Sequence, residues 1–288
     1  MIQKVLRELP IISNKNYWPN DWGKKTSIMG ILNITPDSFS DGGDFINIEN
    51  ALKQADYYVK SGVDVIDIGA QSTRPKADEV GSIEELKRLI PVLKVIRTKY
   101  PNLIISVDTF NANVAYDALF NGANWINDVT GGRRDENILD VVSEFSCPFV
   151  ITHSKGNSKT MNNLENYDDL LVDIIDDLKN LTEIAIKKKV MKKNIIWDPG
   201  LGFSKNTSHN LKIIRNLNQF KVFGFPLLIG ASRKRFIGEI LNEDNPKNRD
   251  IGTLAISCLC SQFLVDIVRV HDVNLNYQIL KVADKIYR

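Results

Sequence analysis

The sequence predicts an α/β protein of the (β/α)8, or TIM-barrel, class: one domain over residues 26–288 with a short N-terminal arm over 1–25. Three observations predict it. A short apolar run followed by an amphipathic stretch recurs eight times, with no second composition regime between the repeats. Most of the apolar runs stop at a polar side chain and open into a loop, as strands do at the mouth of a parallel barrel. The length, 288 residues, suits a fold for which about 250 is typical. A doubly wound open sheet is the alternative, but it normally brings a G-x-G-x-x-G turn, which the sequence lacks.

The elements follow in order. The arm has Pro10, Pro19 and the aromatics Tyr17, Trp18 and Trp22 without a sustained period, and is expected to pack on the outside or bottom of the domain. Residues 28–33, IMGILN, are too few for an ordinary helix and read as a strand buried on both faces. The polar stretch TPDSFSDGG after them reads as a loop. A helix over 48–61 places Ala51, Leu52, Ala55 and Val59 on one face and closes at Gly62. A strand over 63–69 leads into a polar loop over 71–81, and Ser82 with Glu85 predicts a capping box for a helix carrying Leu86, Leu89, Ile90, Leu93 and Ile96 inward.

The cycle continues. Strands over 103–107, 123–126, 148–152 and 195–197 end at Asp108, at Asn127 with Asp128, at His153 and at Asp198. Helices over 113–120 and 137–145 separate the first three, and a long helix over 167–189 turns Leu171, Ile174, Ile175, Leu178 and Leu181 inward. A helix with Leu211, Ile214 and Leu217 precedes a strand over 226–229 that ends at Gly230. One helix then runs through Phe236, Ile237, Ile240 and Leu241, and another carries Ile251, Leu254, Ala255, Cys258 and Leu259. The strand over 264–270 delivers Arg269 and His271 before a last helix with Ile279, Leu280, Ala283 and Ile286.

Composition narrows the function classes. Thirty-seven basic against thirty-five acidic residues leave a net charge of +2, which argues against a nucleic-acid surface. No apolar run reaches spanning length, so no membrane role is expected. Cys147, Cys258 and Cys260 are an odd number without metal spacing, as reduced thiols of a cytoplasmic protein would be.

In a barrel the strand ends converge on one mouth. Here they bring Asn33, Asp108, Asn127, Asp198, Lys234, Arg269 and His271, with Thr73 just past its strand. Asp108, Asn127 and Asp198 supply acceptors and an amide, suited to the paired N–H donors of a flat, nitrogen-rich heterocycle. A metal cluster is the competing idea, and the absence of His among the three weighs against a transition metal. Arg233, Lys234, Arg269 and His271 supply cationic donors, and Ser232 is expected to begin a helix that attracts anions. Asn33 is an oxygen ligand suited to Mg²⁺ shared with a substrate phosphate. The set describes an amino-heterocycle with an anionic, phosphorylated tail. With no nucleophile elbow or Cys–base pair, direct displacement of the anion by a second substrate is the natural reaction.

The blocks MGILNITPDSFSDGG, DIGAQSTRP, SVDTF, INDVTGG, DPGLGFSK, GASRKRFIG and RVHDV resemble, in order and spacing, those of the dihydropteroate synthase family over residues 28–273. The resemblance implies condensation of 6-hydroxymethyl-7,8-dihydropterin diphosphate with p-aminobenzoate, with release of pyrophosphate and help from Mg²⁺, in the folate route that sulfonamides inhibit. It implies that Asp108, Asn127, Asp198 and Lys234 hold the pterin, with Asp108, Asp198 and Lys234 catalytic. Asn33, Arg269 and His271 would hold the diphosphate, Asn33 as metal ligand. Thr73, Arg74, Pro75, Phe203, Lys205 and Ser232 would border the aminobenzoate and the mouth. A homodimer through the last outer helices is also implied. Gln71, Lys76, Ser154 and Ser158 depart from the family's usual residues. Two other classes are a corrinoid-linked pterin methyltransferase, which does not need the diphosphate blocks, and a pterin-binding barrel that has lost catalysis.

Overall fold

β-Branched residues dominate the apolar runs, and they form strands because each run is sealed on one side by the barrel interior and on the other by helices. A computed structural model describes residues 17–34, 44–71, 80–157 and 159–288, without the side chains of 44–47 and 162. Among the described residues the strands are β1 (Ser27–Asn33), β2 (Val65–Gly69), β3 (Ile104–Asp108), β4 (Trp125–Asp128), β5 (Phe149–Thr152), β6 (Ile195–Asp198), β7 (Leu228–Ile229) and β8 (Ile267–Val270). All pair in parallel, in the order β6-β5-β4-β3-β2-β1-β8-β7. One bridge, Trp197 to Leu227, joins the two ends into a nearly closed barrel, helped by the Trp197 N–H donating to the Pro226 carbonyl at 2.8 Å.

The helices outside are α1 (Asp44–Lys60), α2 (Ser82–Lys99), α3 (Ala112–Phe120), α4 (Asn137–Phe145), α5 (Leu170–Lys187), α6 (Thr207–Arg215), the single turn α7 (Asn218–Lys221), α8 (Arg235–Leu241), α9 (Asp250–Gln262) and α10 (Val273–Tyr287). None among the described residues is long and apolar enough to cross a membrane.

The barrel interior is layered. Met29, Val65, Ile104, Trp125, Val150, Ile196, Leu228 and Ile267 contribute one side chain per strand to an apolar plug, and Trp18 and Trp22 pack beneath it against Trp125. Of the expected arm, residues 17–25 are described, and 1–16 lie outside the described residues. Side chains alternate along a strand, so two residues further on the same inward face carries Ile31, Asp67, Ser106, Asn127, Thr152, Asp198, Gly230 and Arg269. The polar mouth therefore stands on an apolar floor.

Three local expectations are corrected. Ser82 and Glu85 form no capping box: Gly81 caps α2 without a side-chain bond, and Glu85 is buried, accepting from the Asn111 amide at 3.2 Å. On α9 the expected stripe is turned outward: Ile251 is 68 % and Leu259 38 % exposed, while Thr253, Ile256, Ser257, Cys260 and Ser261 are buried. The buried hydroxyls have partners, Ser257 donating to Asn276 at 2.6 Å and Ser261 to Asp284 at 2.5 Å on α10, so polarity there costs little. On α10 Val273, Asn276, Leu280 and Ala283 face inward, and Ile286 is 68 % exposed.

Candidate active site

The strand ends do converge, and a chain of charges crosses the barrel above the apolar plug. Arg269, inward on β8, donates from Nε to Asp67 Oδ2 at 2.7 Å and from Nη2 to Asp108 Oδ2 at 2.7 Å. Asn127 donates to the same Asp67 oxygen at 3.1 Å. Burial works against the Arg269 charge, but Asp67 and Asp108 more than offset it, and its pKa is raised. Burial pushes Asp108 above the ordinary carboxylate range; Arg269 opposes this, while Asp67, Glu85 and Asp128 add to it. Asp108 and Asn127 thus stand together as the sequence reading expects. Asp128, the other polar residue at the end of β4, bonds its own loop instead, through the Thr130 and Gly132 N–H groups at 2.7 Å each.

A second group gathers where β5, β6 and the loop after β7 meet. Asp198 is buried and accepts the Gly200 N–H at 2.8 Å. Burial raises its pKa against the Gly200 bond and the positive charges of Lys234, Lys205 and Arg269. Lys234 is pushed down to about 8 by burial, with Asp198 opposing, and its Nζ sits 4.0 Å over the Phe203 ring. Two glycines permit this packing. Gly200 has φ +70°, and a Cβ there would meet the His153 carbonyl oxygen at 2.0 Å; one at Gly202 would meet Lys234 Cδ at 2.8 Å.

Lys205 turns inward instead of lining the mouth. Its Nζ lies 2.8 Å from His153 Nδ1, 3.3 Å from the His153 carbonyl and 3.0 Å from the Phe203 carbonyl. Burial drives its pKa well below the ordinary value, with Asp198 opposing. Three acceptors match the three protons of an ammonium, which has no lone pair to offer them, so the geometry favours the charged form. His153 is then neutral with its proton on Nε2; burial, with Lys205, Arg133 and Lys155, pushes its pKa down to about 2. Lys205 acts on Phe203 through its carbonyl.

The cationic side of the mouth is smaller than expected. Arg233 has φ +58° and faces Asp250, donating from Nε at 2.8 Å and from Nη2 at 2.7 Å, so it is not among the mouth donors. Ser232 does not start a helix, because α8 begins at Arg235 with Lys234 as its cap. The Ser232 hydroxyl accepts the His271 N–H at 3.1 Å and lies 2.9 Å from His271 Nδ1, tying the two residues together. Asn33, at the end of β1, is half-buried; a Cβ at Gly69 would meet its Oδ1 at 3.5 Å and Asp108 Cβ at 3.6 Å, which places Asn33 across from Asp108. Thr73, Arg74, Pro75 and Lys76 lie outside the described residues, as do 35–43 and Ser158.

Sequence reasoning missed Asp67 and the bonds of Ser154. The signal for Asp67 was a charge in the inward phase of a strand otherwise sealed on both faces. The Ser154 hydroxyl donates to the Val129 carbonyl at 2.6 Å, joining the loops after β5 and β4, and no local pattern announces that bond.

Known proteins are similar to this chain in sequence and in fold. Residues 29–271 match the family described as pterin binding enzyme. The chain is 45 % identical over 268 residues to the dihydropteroate synthase of Synechocystis sp., covering 93 % of this chain and 92 % of that protein. It is 44 % identical over 286 residues to the dihydropteroate synthase of Bacillus subtilis, covering 99 % and 96 %. It also matches the folate synthesis bifunctional protein of Arabidopsis thaliana at 42 % identity, spanning 60 % of that longer protein. Among solved structures, the dihydropteroate synthase of Clostridium difficile, determined in the presence of pteroic acid, superposes with a TM-score of 0.88 at 44 % identity, covering 93 % of this chain and 99 % of that one. That of Xanthomonas albilineans with 4-aminobenzoic acid does so with 0.86 at 36 %, covering 92 % and 94 %. From its sequence, its barrel and its strand-end residues together, the chain belongs to the pterin binding enzymes and, within them, to the dihydropteroate synthases, transferases of folate biosynthesis.

Proposed function

We propose that this chain joins p-aminobenzoate to 6-hydroxymethyl-7,8-dihydropterin diphosphate, and that the residues on its barrel floor divide the work. The observation that carries this division is the crossing of Arg269 between Asp67 and Asp108, with Asn127 on the same carboxylate. In the proposed complex Asp108, Asn127 and Asp198 take the donors and acceptors of the pterin edge, and Lys234 takes its carbonyl side. As the C–O bond to the diphosphate lengthens, positive charge builds on the pterin methylene. Asp108 and Asp198 stabilise it as pre-set anions in a site shielded from water. The aryl amine, placed between Phe203 and Ser232, then attacks the methylene and loses a proton to solvent as pyrophosphate departs. Arg269 and His271 hold the departing anion.

Mg²⁺ fits this donor set. No cluster of three or more His, Cys, Asp or Glu able to hold a metal occurs among the described residues. Mg²⁺ keeps several waters and shares substrate phosphates, so Asn33 with the diphosphate suffices. Its chemistry there is neutralisation of the leaving group's charge.

Sulfonamides, as aryl-amine analogues, would compete for the aminobenzoate position. A homodimer would cover Ile251, Val282 and Ile286, which are 68 %, 62 % and 68 % exposed on adjacent α9 and α10. A cytoplasmic location agrees with Cys147, Cys258 and Cys260, none of which forms a disulfide among the described residues. The test is turnover of the two substrates, followed by pyrophosphate release. Condensation dependent on Mg²⁺ supports the reading, and pterin binding without turnover refutes it in favour of a non-catalytic barrel.

A further inference from the structure

Asp67 is fully buried in the middle of β2, in the same inward layer as Asn127, Asp198 and Arg269. Register places it beside Ile31 on β1 and Ser106 on β3. Its bonds to Asn127 and Arg269 therefore cross the barrel interior, not the sheet. A counter-ion that only offsets the burial of Arg269 would account for one of these bonds. Arg269 already has a second carboxylate, however, at Asp108 Oδ2, 2.7 Å away. Asn127 needs no counter-ion at all. One oxygen of Asp67 thus holds two residues that the proposed reaction uses.

Arg269 makes its two bonds through different parts of the guanidinium, Nε toward Asp67 and Nη2 toward Asp108. In the reading proposed above, Asp108 must also accept from the pterin ring, and Arg269 must also meet the diphosphate. Both demands are satisfied if Nη2 changes partner while Nε does not. Asp108 then exchanges one charge-assisted bond for another and is never left unpaired.

We propose that Asp67 is a positioning residue, the fixed point on which Arg269 pivots from Asp108 to the substrate's diphosphate and against which the Asn127 amide is set. The proposal rests on the function proposed above. It has a consequence in pH. The charged groups that bear on Asp108 are Arg269 on β8, Asp67 on β2, Glu85 on α2, Asp128 on β4 and Lys234 ahead of α8. Removing the Asp67 charge takes away one of the anions that keep Asp108 protonated to higher pH. The acid limb of the rate profile then moves to lower pH, whereas a purely structural lesion lowers the rate without moving it.

The experiment compares wild type with Asp67→Asn in kcat, in KM for each substrate, and in the pH dependence of kcat/KM for the pterin diphosphate. The expected result is a fall of about tenfold or more in kcat/KM for the pterin diphosphate, with little change in KM for p-aminobenzoate. The acid limb is expected to shift downward. Unchanged kinetics with an unmoved limb overturn the proposal while leaving the function intact. If Asp67→Asn does not fold, wild type decides: the Arg269 Nε–H signal in nitrogen-15 NMR should stay protected from exchange when 6-hydroxymethyl-7,8-dihydropterin diphosphate is added. Exchange as fast as that of an exposed arginine overturns the pivot. A wild type that binds the pterin diphosphate but does not turn over overturns the proposed function, and the NMR arm then still reads the pivot. A wild type that does not bind it overturns both.

Discussion

Asp198→Asn separates charge from shape at the centre of the site. The variant amide keeps an oxygen for the Gly200 N–H, which Asp198 Oδ1 accepts at 2.8 Å, so the loop after β6 retains its anchor. What is lost is an anion with two duties. Toward the pterin it is a charge-assisted acceptor, a bond of roughly 1.5–3 kcal/mol. Toward the developing cation it is a stabilising charge that acts only as the C–O bond breaks, which makes its loss fall on kcat. Together these give about a hundredfold loss in kcat/KM, about 2.7 kcal/mol. A third effect identifies the cause. Burial already holds Lys234 near 8, and Asp198 is the first of the groups opposing that fall. Without it the Lys234 ammonium gives up its proton at lower pH, so the alkaline limb of the profile moves down. Steady-state kinetics between about pH 6 and pH 9 read both effects. Near-normal kcat/KM around neutral pH would place the pterin floor elsewhere, and an unmoved alkaline limb would show that Lys234 does not report on Asp198.

Other outcomes follow from the same contacts. Ser154→Met should not tighten pterin binding, because it breaks the hydroxyl bond to Val129; loss of about 1 kcal/mol of stability by urea titration is expected, and calorimetry showing clearly tighter pterin binding would refute this. His153 is held neutral by burial down to about pH 2, while an unfolded imidazole takes a proton below about 6.5. Its folded pKa is depressed, so stability falls as pH drops below about 6.5, by up to about 1.4 kcal/mol per unit. Urea midpoints of wild type and His153→Gln at neutral and mildly acid pH should differ by this extra acid loss, and parallel curves would refute it. The Ser232–His271 tie joins the expected aminobenzoate wall to the expected diphosphate site. Pyrophosphate with Mg²⁺ should therefore tighten p-aminobenzoate about tenfold, about 1.4 kcal/mol of coupling; equal affinities in parallel titrations would refute this.

What could be read from the sequence was set by locality. Asn33, Asp108, Asn127 and Asp198 were legible because each ends an apolar run, and the strand period fixes which way such a residue faces. Arg233 was not, since its direction is decided by Asp250, which forms an ion pair with it from the start of α9. The capping box failed for the same reason: Glu85 finds Asn111 on a neighbouring loop, and burial there overrides the local cap. The stripe on α9 misled because Ser257 and Ser261 become acceptable inside only once Asn276 and Asp284 of α10 are opposite them. The direction of Lys205 was not legible either, since its three acceptors come from two different loops.

The thin seam between β6 and β7 gives the ligand a mechanical part. Every other pair of neighbouring strands is laced by two or more registered residues, whereas these two share the single Trp197–Leu227 bridge. Asp198 sits on one lip of that seam and Lys234 follows the other. A pterin grasped by both would act as a hoop on an incompletely staved cask, resisting outward breathing where the sheet itself resists least. Amides on the two lips would then slow their hydrogen exchange on binding more than amides elsewhere in the ring, and the gain in heat resistance would depend on both side chains being present.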